Sequence, residues 1–260
     1  MNWCSTPADQ RLGSGTAIML ELRIARRFLW RSKAQSVLIA LGIAVGIAVQ
    51  VFVGSLITSL QDSLVESTVG SSAHVTIQPP PGEDTLLFSA DTRAQVASDS
   101  RVTAVMPVQV LSAIVAMGGA GAPVILKGGA LADLDDIYKL SSSLVAGQAS
   151  LSGDAVLLGK ELVEENGLTP GQKVNLVLAD GSRVTGTVEG VFDLGAAAAN
   201  RSTVFMGLET ASLAAGRSVD RVSVVELQIA DVFTSQEVAA AVAGRLPQVQ
   251  VVDWQATNGE

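Results

Sequence analysis

The sequence is poor in the side chains that most enzymes use for catalysis. Among its 260 residues there is one histidine, His74, and one cysteine, Cys4. A single cysteine excludes a disulfide within the chain. One histidine at a predicted strand start does not support a Ser-His-Asp hydrolase. We therefore expect no catalytic, cofactor-binding or metal-binding residues in this chain.

A phosphate-binding loop is also missing, since the pattern G-x-x-x-x-G-K-[ST] does not occur. The glycine-rich stretch Gly118–Pro123 has no lysine in the required place, and it predicts a turn. The chain is therefore not expected to bind ATP by itself.

Charged residues are scarce, at 16% of the chain, against about 25% in typical soluble domains. The segment up to Lys33 carries six Lys and Arg and two Asp and Glu, whereas the remainder carries eleven and twenty-three. An acidic body with sparse basic residues argues against nucleic acid as a partner, because phosphates require clustered positive charge.

One long segment lacks charge altogether. From Ala34 to Gln61 there are 28 residues without a charged side chain, and Val37–Leu60 is mostly aliphatic. About 20 such residues suffice to cross a bilayer, whereas a cleaved signal has an apolar core of only about 7–15. The sequence predicts a permanent membrane-spanning helix, with membrane lipid as its surroundings.

Positive charge precedes this segment and predicts its orientation. Basic residues that flank the cytoplasmic end of a span are retained inside the cell. We expect the N-terminus to be cytoplasmic and the residues after about 62 to be extracytoplasmic, in a protein of the cell's inner (cytoplasmic) membrane. Trp30 suits the water–lipid boundary. The predicted membrane-edge anchor comprises Arg23, Arg26, Arg27, Trp30, Arg31 and Lys33.

Small residues recur on one side of the predicted span. Gly42 and Gly46 form a G-x-x-x-G pattern, which allows a second helix to approach closely. The apolar rhythm continues past Asp62 while polar residues appear, so we expect the helix to extend as a stalk and end near Gly70. Segment 34–70 is assigned as span and stalk.

The segments before the span are assigned separately. Residues 19–33 predict a cytoplasmic amphipathic helix, which either lies along the membrane surface or extends the span. Residues 1–18 show no pattern and are assigned as disordered or as an extension ahead of Met19.

The remaining chain predicts a membrane-anchored α+β protein with a discontinuous domain. Strand–helix–strand patterns occur at both ends: a strand at His74–Pro79, a helix from Asp91 and a Pro107-containing strand at Val102–Met117, and later a helix at Ser235–Leu246 begun by Ser235 as N-cap. Between them the pattern is β-rich. We predict two βαβ-like halves, 71–150 and 219–260, that enclose a β-rich inserted subdomain, 151–218.

The insert carries the sharpest local signals. Lys160–Asn166 predicts a short helix ended by Gly167, and Asp180-Gly181 predicts a two-residue hairpin loop. Gly195–Asn200 is assigned as a low-complexity loop. The acidic groups Asp133, Asp135 and Asp136, and likewise Glu161, Glu164 and Glu165, are interpreted as solvated helix residues.

These patterns together resemble the permease subunits of MacB/LolC/FtsX-type ABC transporters. The similarity is carried by "LRIARRFLWRSKAQSVLIALGIAVGIA", by "LLGKELVEENGLTPGQKVNL", by "VEGVF" and by the closing "VVDW". It covers residues from about 19 to the end, and the order and spacing of the pieces are more specific than any one of them.

The resemblance implies a MacB-like periplasmic core domain and homo- or heterodimers of permeases driven by a separate cytoplasmic ATP-binding subunit. Such proteins usually have three further spans after this domain, so the chain is either a truncated form or a stand-alone variant. The alternative function is a single-pass anchored binding or assembly protein without an ATPase; a membrane-tethered hydrolase is a third and weaker hypothesis. Lipoproteins, lipids, peptides or cell-wall enzymes are all possible clients.

Overall fold

The computed structural model describes residues 33–69, 73–117 and 120–258. The predictions for residues 1–32, which include the extension 1–18, the amphipathic helix and most of the membrane-edge anchor, lie outside the described residues. Those anchor positions are Arg23, Arg26, Arg27, Trp30 and Arg31.

The first described element is a single long helix. Helix α1 runs over Lys33–Val69, which is 37 residues. At about 1.5 Å per residue it is about 55 Å long. No proline interrupts it, so its backbone hydrogen bonds can continue from the apolar part into the polar part that begins at Asp62. The predicted continuous span and stalk therefore form one helix.

The chain after α1 contains a sheet whose strands come from the two ends of this part of the sequence. Its strands lie in the order β12-β1-β11-β3, and every neighbouring pair is antiparallel. In each strand–helix–strand unit the two parallel strands are separated by one strand of the other unit, which is the split βαβ arrangement. The elements are β1 (Val75–Gln78), α2 (Ala90–Ala97), β3 (Val102–Met117), β11 (Val224–Ile229), α7 (Ser235–Arg245) and β12 (Gln250–Asp253).

The middle of the chain closes into a six-stranded barrel. The pairings run β3–β4–β9–β6–β8–β7 and return to β3, which removes most free edges. Strands β3 and β4 come from the predicted segment 71–150, and the other four come from 151–218; the predicted domain boundaries stay predictions. The new strands are β4 (Ala120–Gly129), β6 (Ala155–Gly159), β7 (Lys173–Leu178), β8 (Arg183–Phe192) and β9 (Thr203–Gly207).

Strand β3 belongs to both parts. Its first segment pairs with β11 as far as Val108, and its pairing with β4 starts at Gln109. Pro107 therefore lies in the segment of β3 that is paired with a strand on one side only, and that strand is β11. Proline cannot donate a hydrogen bond and within sheets is found at such edges, which explains how Pro107 is accommodated in β3.

Three hydrophobic clusters fill the fold. One lies inside the barrel and includes Val156, Leu176 and Val204. A second joins one face of the split βαβ sheet to α2 and α7. The third lies between the opposite face of β3, helix α3 (Leu131–Tyr138) and the barrel residues Phe192 and Phe205.

Short elements complete the described chain. They are β2 (Leu86–Leu87), β5 (Leu144–Gly147), α4 (Lys160–Asn166), α5 (Ala197–Ser202), α6 (Leu208–Ala214), β10 (Arg221–Val222), a 3-10 helix (Val232–Thr234) and α8 (Trp254–Asn258). The prediction for Lys160–Asn166 is confirmed, and Gly167 ends this helix with a φ of 64°, a conformation that favours glycine.

Two local predictions were wrong for identifiable reasons. Part of the predicted loop Gly195–Asn200 is helical from Ala197, because alanine favours helix and the Asn200 side chain bonds back to Leu194 and Asp193. Ser235 is the first helical residue of α7 rather than its N-cap. Asp231 caps the preceding 3-10 turn through Phe233 N, which moves the start of helical structure upstream.

The β7–β8 hairpin also differs in detail from its prediction. Leu178 N donates to Ser182 O, and Gly181 N donates to Leu178 O. The loop therefore has three residues, Ala179–Gly181, with Gly181 at a φ of 84°. A glycine in the left-handed region at the third position is typical of three-residue hairpin loops.

The close approach of α5 to β6 generates a stability prediction. A Cβ at Gly159 would overlap the backbone of Asn200, whereas a Cβ at Gly244 in α7 meets nothing within 4 Å. Gly159→Ala should lower the free energy of unfolding by about 2 kcal/mol through overpacking. Gly244→Ala, the matched control, should raise it by about 0.5 kcal/mol because alanine suits a helix better than glycine.

Chemical unfolding of the detergent-solubilised full chain measures both changes. Equal effects of the two substitutions would contradict the described contact between Gly159 and Asn200.

Candidate functional site

A long run of exposed apolar side chains lies on α1. One part of this helix, Val37–Ser55, is long and apolar enough to cross a membrane. Its large apolar side chains are 46–75% exposed within the chain. A contiguous apolar surface of this kind marks contact with lipid or with another protein. Its 19 residues span about 28 Å, close to the roughly 30 Å of a bilayer core.

Gly42 and Gly46 lie within this exposed part, one helical turn apart and therefore on the same face. A Cβ at either position would meet nothing within 4 Å. No contact within the described chain requires glycine at these places. Their predicted role in helix packing stays a prediction, as does the membrane-edge role of Lys33, the first residue of α1.

The second feature is a polar cluster where the barrel joins the split βαβ sheet. We call it the tyrosine cluster; it consists of Lys127 of β4, Tyr138 of α3 and Glu226 of β11. Lys127 Nζ lies 2.7 Å from Glu226 Oε1, and Tyr138 Oη donates to Glu226 Oε2 at 2.5 Å. Lys127 Nζ also donates to Tyr138 Oη. Tyr138 and Glu226 are each only 6% exposed, so the carboxylate is buried but paired.

Burial and the adjacent Glu226 carboxylate raise the pKa of the Tyr138 hydroxyl well above its usual value. Tyr138 is therefore a neutral donor at physiological pH. Its ring packs at 5.2 Å from that of Phe205, which in turn lies 5.1 Å from that of Phe192. The cluster is thus anchored in the third hydrophobic cluster as well as by hydrogen bonds.

A second polar group lies at the same level of β3 and is centred on Gln109. We call it the glutamine cluster; it contains Gln109, Ser212, Arg217, Arg221 and Ser223. Ser223 Oγ donates to Gln109 Oε1 at 3.2 Å, and Gln109 Nε2 donates to the carbonyl of Arg221 and to Ser212 Oγ. Arg217 Nη1 donates to both Gln109 and Ser223. Gln109 is fully buried.

Three other polar residues singled out in the sequence form hydrogen bonds or ion pairs: His74, Asp133 and Glu165. His74 is buried, and its Nδ1 accepts from Ile229 N at 3.2 Å, so it is a hydrogen-bonded core residue. The interpretation of Asp133 as simply solvated was wrong, because it forms a two-bond ion pair with Arg93. Glu165 pairs with Arg201 but its side chain stays 48% exposed, so its interpretation as a solvated helix residue holds. The Asp133 pair forms because α2 and α3 place the side chains together, which sequence spacing does not reveal.

The described part of the chain also has clefts on its surface. One cleft of about 830 Å³ is lined by loops around Ala130, Ser150 and Gly207, with Glu209 as its titratable side chain. An apolar groove of about 510 Å³ runs along Ile114, Pro123 and Ile125 on the outer face of the barrel. No group of three or more metal-ligating side chains occurs among the described residues.

The sequence matches the model of a known protein family. The model for the MacB-like periplasmic core domain matches residues 36–245. The chain belongs to this family. The match begins inside α1 and ends with α7, so it includes the barrel and three of the four strands of the split βαβ sheet, but not β12. Together with the exposed apolar helix, it indicates a membrane-anchored protein with an extracytoplasmic MacB-like domain.

A solved MacB structure shares the fold, and other solved structures are similar to the chain. The periplasmic region of MacB from Actinobacillus actinomycetemcomitans matches with a TM-score of 0.52 at 14% identity, over 75% of this chain and 94% of that one. The extracellular domain of the noncanonic ABC-type transporter YknZ from Gram-positive bacteria matches with a TM-score of 0.49 at 15% identity, over 70% and 100%. No curated protein sequence matches.

Sequence reasoning missed both polar clusters. A signal was present, since Lys127 interrupts the apolar run of β4, Glu226 interrupts that of β11, and Tyr138 is the only tyrosine. A charged residue inside an apolar strand predicts a buried pair. The partners could not be found, because 99 residues separate Lys127 from Glu226.

Proposed function

We propose that this chain is the N-terminal portion of a permease-type subunit of an ABC transporter of the mechanotransmission kind. The observation that supports it best is the continuity of α1. An exposed apolar segment and a polar extension form one helix to Val69, and β1 of the MacB-like domain begins at Val75. Only five residues separate the end of α1 from the start of β1. A movement of the helix at the membrane is therefore passed to the domain through a short connection.

In this proposal the energy comes from a separate cytoplasmic ATP-binding subunit. The sequence has no phosphate-binding loop of its own. ATP binding and hydrolysis inside the cell change the arrangement of the spans, and the stalk passes this change to the extracytoplasmic domain. The client is a lipoprotein, a lipid, a peptide or a cell-wall enzyme, and the chain itself performs no catalysis.

The finer architecture belongs to the same proposal. The two βαβ-like halves, 71–150 and 219–260, form one subdomain, and the β-rich insert forms another. This proposal is supported by the pairing of β1 with β11 and β12, which brings together strands about 150 and about 175 residues apart in the sequence. The basic residues before α1 hold the N-terminus in the cytoplasm by the retention of positive charge.

The orientation can be tested with the native cysteine. In wild-type chain Cys4 is the only cysteine, and the proposal places it in the cytoplasm. A membrane-impermeant maleimide should label it only after permeabilisation. In a Cys4→Ser background, Glu164→Cys on the exposed side of α4 should be labelled in cells whose cytoplasmic membrane is intact. Cys4→Ser alone is the unlabelled control, and the reverse pattern would exclude the proposed orientation.

The ATPase partner is the central functional prediction. Tagged full-length chain, purified in mild detergent from membranes of its source cells, should bring down a polypeptide that hydrolyses ATP. Membranes that contain untagged chain supply the background rate. Hydrolysis no higher than that background would favour the single-pass anchored binding or assembly protein.

Pairing of permease helices is tested at Gly42 and Gly46. Isoleucine at both positions should prevent close helix approach and reduce cross-linking or energy transfer between α1 helices in membranes. Ile43→Leu, in the same exposed stretch, is the matched control and should leave the signal unchanged. A signal that survives Gly42→Ile/Gly46→Ile would place the packing face elsewhere.

A further inference from the structure

Strand β3 changes partners over a very short distance. Val108 is paired with Val224 of β11, and Gln109 is paired with Gly128 of β4. One peptide bond of β3 therefore separates the split βαβ sheet from the barrel. A continuous strand can bend or twist at such a point, so the strand alone does not set the angle between the two parts.

The tyrosine cluster connects the two parts beside this point. Its lysine belongs to β4 of the barrel, its glutamate belongs to β11 of the sheet, and its tyrosine ends α3, the helix that follows β4. Lys127 is paired with Val110 across β4 and β3, and Glu226 is paired with Met106 across β11 and β3. The ion pair thus connects the strand neighbours of Met106 and Val110, which lie on either side of the point where β3 changes partner.

The glutamine cluster connects the same parts through other elements. Gln109 is on β3, Ser212 is on α6, which packs against β4, and Ser223 lies between β10 and β11. Side chains of adjacent strand residues point to opposite faces. Gln109 therefore lies on the face of β3 opposite Val108 and Val110, and the paired neighbours of Met106 and Val110 carry the tyrosine cluster. The two clusters lie on opposite faces of β3.

Relative movement of the two parts would leave these groups without partners. The cost of a buried donor or acceptor without a hydrogen bond is about 1–3 kcal/mol, and it is larger for a charge. Fully satisfied buried networks consequently favour one arrangement over close alternatives. Apolar contacts in the third cluster have no comparable directionality, because burial of apolar area is non-directional.

We infer that the tyrosine and glutamine clusters fix the barrel to the split βαβ sheet, so that the two move as one rigid body. This inference rests on the proposed function for its biological role. If the sheet and the barrel move together, a movement passed to β1 also displaces the barrel, because β3 does not bend where it changes partner. The residues that carry it act by positioning, and none contacts a client.

The experiment measures the distance between the two parts by spin labelling. In the Cys4→Ser chain, labels at Glu164→Cys on α4 and Ala240→Cys on α7 report on the barrel and the sheet; both sites are exposed. Full-length chain in lipid nanodiscs should show one narrow distance distribution. Glu226→Leu combined with Ser223→Ala removes the carboxylate to which Lys127 and Tyr138 both bind and the hydroxyl that bonds Gln109, and should broaden this distribution or add a second component.

Control variants separate this effect from general destabilisation. Val156→Ala inside the barrel core and Val238→Ala in the helix–sheet core should lower stability without broadening the distribution. Hydrogen exchange gives a second readout: in the cluster variant, amides of β3 near Gln109 should exchange about tenfold faster, as expected for the loss of one buried hydrogen bond.

Two results would overturn the inference: an unchanged distribution in the cluster variant, or equal broadening in the core controls. The test needs no ATPase, so its outcome is independent of the proposed function. A rigid pair of subdomains without a co-purifying ATPase would refute the function alone. A mobile pair with an active ATPase would refute only the inference.

Discussion

The hydrogen bonding of β3 is the constraint on which the rest of the domain depends. This 16-residue strand is shared by the split βαβ sheet and the barrel, and its backbone groups are paired with β11, β4 and β7 in turn. Because buried backbone groups must be paired, the insert cannot separate from the sheet without breaking part of this ladder. The barrel is therefore built onto a strand of the sheet and is not connected to it by a flexible linker.

Polar and apolar contributions have different tasks at this junction. The aromatic residues Tyr138, Phe192 and Phe205 bury a large area, which stabilises the assembly without selecting one angle. The Lys127–Glu226 pair contributes little net stability by itself, since desolvation offsets most of the attraction. Its value lies in geometry: the lysine, the hydroxyl and the carboxylate satisfy one another in a single arrangement. Such a division favours one arrangement of the barrel and the sheet over close alternatives.

Apolar side chains face outward on the apolar part of α1 and inward in the domain that follows it. Along Val37–Ser55 the apolar side chains face outward and are exposed within the chain, whereas in the barrel and the sheet they face inward. Hydrocarbon surroundings explain the first pattern, and water explains the second. A Cβ at Gly42 or Gly46 would meet nothing within 4 Å in the described chain, so the fold of the described residues does not itself require glycine at these two positions.

Local signals in the sequence determined the long helix, the Lys160–Asn166 helix with its terminal Gly167, and most strand positions, since these depend on apolar period and on glycine conformation. They also carried the family resemblance. Only the tertiary structure decided that the insert closes into a barrel around β3, that Asp133 pairs with Arg93, and that Lys127, Tyr138 and Glu226 meet. These features join residues 40 to 99 positions apart. Composition and spacing contain no information about which distant strand edge or side chain will be the partner.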